Sequence, residues 1–148
     1  MVGLAGMDSA RQLRVRAAFV LCCLLAATAC DETQTGPTVP LNERFILAPG
    51  SVAVVRDEDL RIRFDEVTGD SRCPADVVCI QGGDALVHIR VSDGASTNAY
   101  VLHTGDSSRA AIVHGSVRIA LVELQPYPFS SRTIAPGDYR ATFTASRP

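Results

Sequence analysis

The chain has no tryptophan and no lysine, only three tyrosines and five phenylalanines, and few stretches without a turn-forming residue. Scarce aromatics exclude a core built on large rings, so Val, Ile, Leu and Ala must fill any interior. Without aromatic sugar platforms, paired carboxylates for glycoside hydrolysis are not expected in a domain this small. Missing lysine goes with fourteen arginines and many alanines, which reads as the codon bias of a GC-rich genome rather than an arginine-specific site. Positive charge is not in excess: the whole chain carries −2, and from Asp31 onward 15 acidic residues outnumber 11 arginines. A chain of this sign argues against a nucleic-acid partner.

Signatures of catalysis are missing as well. His114-Gly115-Ser116-Val117 lacks the second glycine of a nucleophile elbow, and Gly82-Gly83 is followed by no lysine that could complete a phosphate-cradling loop. His88, His103 and His114 fall at no metal-ligand spacing with the cysteines. Asp57-Glu58-Asp59 could suggest calcium, but three adjacent acids point alternate ways in a turn and read as a solvated one. No catalytic, cofactor-binding or metal-binding residue is assigned, and no cofactor is expected.

The N-terminus reads as an address. Arg11, Arg14 and Arg16 precede an uncharged run of 13 residues, Ala17–Ala29, which is too short to span a bilayer comfortably. It ends in Ala27-Thr28-Ala29-Cys30 and is closed by Asp31 and Glu32. This arrangement resembles the bacterial lipoprotein signal, in which the leader is cut just before a cysteine that carries lipid. Ala27 stands where that family usually has leucine. The resemblance implies a cleaved leader at residues 1–29, a lipid on Cys30, and a protein held by its anchor to a cell membrane on the extracytoplasmic side, periplasmic or outer. Asp31 resembles the inner-membrane retention signal of enteric-type bacteria. A start at Met7 would leave a leader of ordinary length.

With Cys22 and Cys23 in the leader and Cys30 acylated, Cys73 and Cys79 remain, an even pair in an oxidising compartment and an expected disulfide. Residues 30–40 form the lipidated cysteine and a polar, proline-containing spacer; residues 41–148 form one domain.

That domain alternates with period two. Leu60, Ile62 and Phe64 oppose Arg61, Arg63 and Asp65. Similar alternation runs through Ala85–Val91, Val117–Leu124 with a shift at Val122 suggesting a bulge, and Tyr139–Thr144. Shorter strands are expected at Phe45–Ala48, Val52–Arg56, Asn98–His103 and Ala110–His114. Ala48-Pro49-Gly50-Ser51 and Ala135-Pro136-Gly137-Asp138 suit type II turns. About seven or eight short strands predict an all-β fold, a single antiparallel β-sandwich. The ending P-G-D-Y-R-A-T-F resembles the last strand of immunoglobulin-like domains.

Residues 70–83 are the unusual segment. D-S-R-C-P, a second cysteine six residues on and a following glycine, together with Leu124, Pro126, Tyr127 and Pro128 as L-x-P-Y-P, resemble a pattern in uncharacterised secreted bacterial proteins; that resemblance implies a fold family and no activity. Two readings of the loop stay open. In one it is a staple: the disulfide pins a crossover, Asp70 takes nearby amides, Arg72 pairs with a carboxylate or loop carbonyls, and Gly82-Gly83 permit a tight approach to the next strand. In the other it is a pre-organised interaction loop presenting Arg72, Pro74, Asp76 and Val77. Some of Val77, Val78 and Ile80 are expected to point inward. The function expected is a non-catalytic binding or structural module of the cell envelope, with a membrane contact through Cys30 and an envelope protein or glycan as partner. A protease inhibitor presenting the loop through Arg72, and a small hydrolase, are the alternatives.

Overall fold

The structure, a computed structural model, describes residues 36–148. The leader, Cys30 and most of the spacer lie outside the described residues. Nine strands follow in chain order: β1 (Thr38–Val39), β2 (Arg44–Leu47), β3 (Val52–Val55), β4 (Leu60–Thr68), β5 (Leu86–Ser92), β6 (Thr97–His103), β7 (Ala111–His114), β8 (Val117–Gln125) and β9 (Arg140–Ser146). One 3₁₀ turn, Pro136–Asp138, precedes the last strand. Two sheets of order β1-β3-β4-β5-β6 and β2-β9-β8-β7 make the expected all-β sandwich.

Alternation decides which side chains fill it. Leu60, Ile62 and Phe64 of β4 are buried between exposed or half-buried Arg61 and Arg63, and Val87, Ile89 and Val91 of β5 face the same interior. From the opposite sheet come Ile119, Leu121, Ala141, Phe143 and Ala145. Phe143 joins the layers, its ring centroid 5.9 Å from Phe45 in its own sheet and 6.1 Å from Phe64 in the other, edge-on. The shift expected at Val122 is real: pairing of β8 with β9 slips between Leu121 and Glu123, so Val122 turns out and Leu124 turns in.

Three details differ from expectation. Thr38–Val39, assigned to the spacer, pairs in parallel with Val54 and Val55, so the domain begins before Leu41 and its first strand is not antiparallel. A spacer of this composition joins the sheet because pairing there needs only backbone groups: Val54 N–H donates to Pro37 O at 2.9 Å and Arg56 N–H to Val39 O at 2.8 Å. The strand order is a meander within each sheet, closed by first-to-last pairing of β2 with β9. It is not the Greek-key order of immunoglobulin domains. Finally, Gly50 has the positive φ (82°) of a type II turn, whereas Pro136-Gly137 makes the 3₁₀ turn closed by Asp138 N–H on Ala135 O, 2.9 Å.

Strand direction sorts the loops. β3 starts beside the middle of β4 and runs antiparallel to its first half, since Val52 pairs with Arg63 and Val55 with Leu60, and β1 runs parallel to β3. The β4–β5 loop, the β6–β7 loop and the β8–β9 loop therefore share one end of the sandwich, while Gly36 enters level with Val52 and Arg63, part-way along β4. Turns at 56–59, 93–96 and 115–116, with the C-terminus, occupy the other.

Candidate functional site

The β4–β5 loop leaves β4 through Gly69, whose φ of 58° turns the chain, and returns at Asp84. Its neck is zipped: Ser71 N–H donates to Asp84 O at 2.7 Å, and Asp84 N–H to Ser71 Oγ at 3.1 Å. Gly83 lies so close to the Ser71 carbonyl that a β-carbon there would overlap it, while Gly82 has open space around it. The close approach expected of the glycine pair thus belongs to Gly83.

Arg72 is the joint between this loop and the second sheet. Its Nε and Nη2 grip Asp70 at 2.9 and 2.7 Å; Nη1 donates to Leu124 O at 2.6 Å and Nη2 to Pro126 O at 3.0 Å. The guanidinium lies 5.5 Å from the Tyr127 ring centre. Asp70 also accepts from Arg72 N–H (3.2 Å) and from the Tyr139 hydroxyl (3.0 Å). Burial alone would raise the Asp70 carboxyl, but these donors, Arg72 foremost, hold it below its ordinary value. Burial and the Asp70 charge push the Tyr139 phenol up to about 12. The two sequence segments, D-S-R-C-P and L-x-P-Y-P, are therefore two halves of one contact.

This geometry corrects the interaction-loop reading at Arg72. The residue is 8% exposed with its donors committed to protein acceptors, so it is not offered to a partner, and the motive for an inhibitor inserting Arg72 into a protease is gone. Pro74 is half-buried; its neighbour Ala75 donates N–H to Pro128 O at 2.9 Å. Asp76 is exposed yet occupied, accepting from Ser130 N–H (2.9 Å) and Ser130 Oγ (2.6 Å). Those donors lower its carboxyl pKa. Cys73 and Cys79 are joined, with α-carbons 6.0 Å apart, as expected.

Val77 is 45% exposed, and Val78 (100%) and Ile80 (103%) project fully into solvent, so the expectation that some of them pack inward fails. Only five residues separate the cysteines, and a ring that short leaves Val77 and Val78 no chain length to bend toward the interior, while Ile80 leaves the ring directly after Cys79. Tyr127 and Phe129, on the neighbouring β8–β9 loop, are about half exposed. The result is an apolar crown on a base tied down by the Arg72 joint, Asp76 and the disulfide.

Beside the loop neck lies a cleft of about 280 Å³, lined among others by Gly83, His103, Glu123, Leu124 and Tyr127. His103 Nδ1–H donates to Asp84 Oδ2 at 2.6 Å, while Thr104 Oγ1 and Gly105 N–H reach Asp84 Oδ1 at 3.1 and 2.8 Å. Burial opposes ionisation of Asp84, but Gly105, His103 and Thr104 outweigh it and lower the carboxyl to about 2. The sequence offered no sign of this pair, whose members stand 19 residues apart, Asp84 in the β4–β5 loop and His103 at the end of β6. Among the described residues no hydroxyl is hydrogen-bonded to His103 Nε2, as a nucleophile would be. The other histidines are satisfied: His114 by Tyr100 (3.0 Å) and Asp93 (3.2 Å), His88 by Thr68 (2.7 Å). In the acidic turn, Glu58 takes Arg147 at 2.9 Å, and among the described residues no group of three acids, histidines or cysteines could hold a metal.

Comparison with protein-family models, with curated proteins and with solved structures finds no match.

Proposed function

We infer that this chain is a lipid-anchored, extracytoplasmic module of the bacterial cell envelope that works by contact rather than catalysis, and that the disulfide-held loop is its contact element. The observation carrying this reading is the exposure of Val78 and Ile80 on a loop whose base is otherwise fully tied. Soluble surfaces scatter single apolar residues, but a rigid cluster of them is a usual mark of an interaction site. A ring closed by a disulfide loses little further ordering entropy on contact. The leader-like N-terminus and Cys30 supply the anchoring half of the reading, and an oxidised Cys73–Cys79 pair suits a compartment outside the cytoplasm.

The test replaces Ile80 with a photo-crosslinking residue in the producing cell, with Ala95 at the opposite end of the sandwich as control. Adducts specific to position 80 are expected, in the membrane fraction, and lost from that fraction when Cys30→Ser removes the lipid site. Equal or absent adducts at both positions would discard the loop as contact element, and unchanged fractionation of Cys30→Ser would discard the anchor.

A further inference from the structure

The cleft beside the loop neck holds two acceptors that the described chain leaves unused. The Asp84 carboxyl, lowered to about 2, is ionised and can only accept. Its 2.6 Å bond to His103 therefore puts the ring proton on Nδ1 and leaves Nε2 of the neutral ring a lone pair. The His103 side chain is 12% exposed. Among the described residues no buried side-chain nitrogen or oxygen lacks a partner, and nothing among them reaches Nε2, so this nitrogen is open to solvent. His103 lines the cleft and Asp84 does not, which puts the open edge of the ring on the cleft side. Glu123 supplies the second acceptor: its Oε1 takes Gln125 Nε2 at 2.7 Å, and among the described residues nothing donates to Oε2.

Neighbouring side-chain donors are spent. Arg72 gives its guanidinium to Asp70, Leu124 and Pro126, and the Thr104 hydroxyl goes to Asp84. Asp70 matches the Arg72 charge, so the carboxylates of Asp84 and Glu123 leave the surroundings negative. Ala110, Leu121 and Leu124 give the cleft an apolar floor. An apolar floor with few convergent polar groups, one of them beside a strongly perturbed carboxyl, is the usual form of a small-ligand site.

We propose that this cleft binds a small organic cation, a protonated primary amine, its ammonium donating to Glu123 Oε2 and His103 Nε2 and its apolar body resting on Ala110, Leu121 and Leu124. An ammonium carries three donors and no acceptor, the complement of this pair. An anionic ligand would meet the Glu123 and Asp84 charges instead. The site goes beyond the contact reading and stands or falls apart from it, since neither Val78 nor Ile80 lines the cleft.

Three probes of one shape separate charge from fit: benzylamine, benzyl alcohol and benzoate. Each is titrated near neutral pH into the isotope-labelled full-length chain in a zwitterionic detergent, and NMR follows the His103 ring nitrogens and the Gly83 and Glu123 amides. Benzylamine should shift these signals saturably, Nε2 more than Nδ1, with a dissociation constant of about 1 mM or tighter. Benzyl alcohol should bind about tenfold more weakly, and benzoate should leave the signals unmoved. Glu123→Gln, a change at an exposed residue, should weaken the amine about tenfold. Glu43→Gln, at the far end where Asn42 N–H pairs with Ala145 O, should not. Equal affinity for amine and alcohol would overturn the inference. So would an amine affinity untouched by Glu123→Gln, or no saturable shift at His103.

Discussion

Arg72 reaches across 52 residues of chain to donate to the Leu124 carbonyl at 2.6 Å, while the same guanidinium holds Asp70 two residues away. Both partners of the ion pair are nearly buried, at 6% and 13% side-chain exposure. Removing Arg72 at that depth strands the Asp70 charge together with the Leu124 and Pro126 carbonyls. Arg72→Ala is expected to destabilise the domain by about 3–5 kcal/mol, read from urea unfolding as a lower midpoint at unchanged slope. Arg72→Lys should recover only a small part, because an ammonium cannot reproduce the planar fork that meets Asp70, Leu124 and Pro126 together. An Arg72→Ala protein as stable as the parent would remove the joint from the account of the fold.

The disulfide should matter locally more than globally. A cross-link over a sequence separation of 6 removes little unfolded-chain entropy, about 2–2.5 kcal/mol on the loop-closure account. Asp76, Ala75 and Arg72 still tie the base when it is broken. Cys73→Ser/Cys79→Ser is therefore expected to keep the sheets while residues 77–83 become the first site of protease cleavage. Limited proteolysis followed by mass analysis checks this; cleavage first appearing elsewhere would contradict a base that stays tied without the disulfide.

Much of the sandwich was legible because burial on one face imposes period two, as in Leu60-Arg61-Ile62-Arg63-Phe64, and because a bulge shifts that period visibly at Val122. Thr38–Val39 was not, since a two-residue parallel pairing uses backbone groups and leaves no pattern. Nor was the meander order, which depends on β2 finding β9 some hundred residues later. At the loop, side-chain types suggested that Arg72 would pair with a carboxylate or carbonyls, yet its acceptors at Leu124 and Pro126 lie too far along the chain to be named. The hydrophobicity of Val78 and Ile80 pointed inward; ring closure overrode it at Val78, and Ile80, just outside the ring, is exposed as well.

Asp84 sets the acid limit of the loop neck. Its carboxyl is lowered from 3.8 to about 2 by Gly105, His103 and Thr104 against the opposing effect of burial. A folded-state value below the unfolded one means that the stabilisation is whole above pH ~4, declines as pH falls toward 2, and is absent below. Its side chain is 31% exposed, so solvent screening trims the contribution to about 1–2 kcal/mol. Asp84→Asn should lose that amount at pH 7 and show a shallower fall of stability between pH ~4 and 2. Parallel stability curves for the two proteins through that interval would show that Asp84 does not carry the linkage.

Adjacent glycines at the neck give a paired comparison. A β-carbon at Gly83 would overlap the carbonyl oxygen of Ser71, a residue held in the Ser71–Asp84 zipper, whereas at Gly82 nothing lies within 4 Å. Neither glycine has a positive φ, so steric room alone separates them. Gly83→Ala must push the two loop arms apart and break their hydrogen bonds, a change expected to cost about 1–3 kcal/mol, and it should widen the loop base enough to weaken the Arg72 contact with Leu124. Gly82→Ala should lie within about 0.5 kcal/mol of the parent, or slightly above it through reduced unfolded-chain entropy. Thermal unfolding of both variants decides the matter: equal midpoints would mean that the neck is not closed by that backbone approach, and that the rigidity of the apolar tip comes from the disulfide and Asp76 alone.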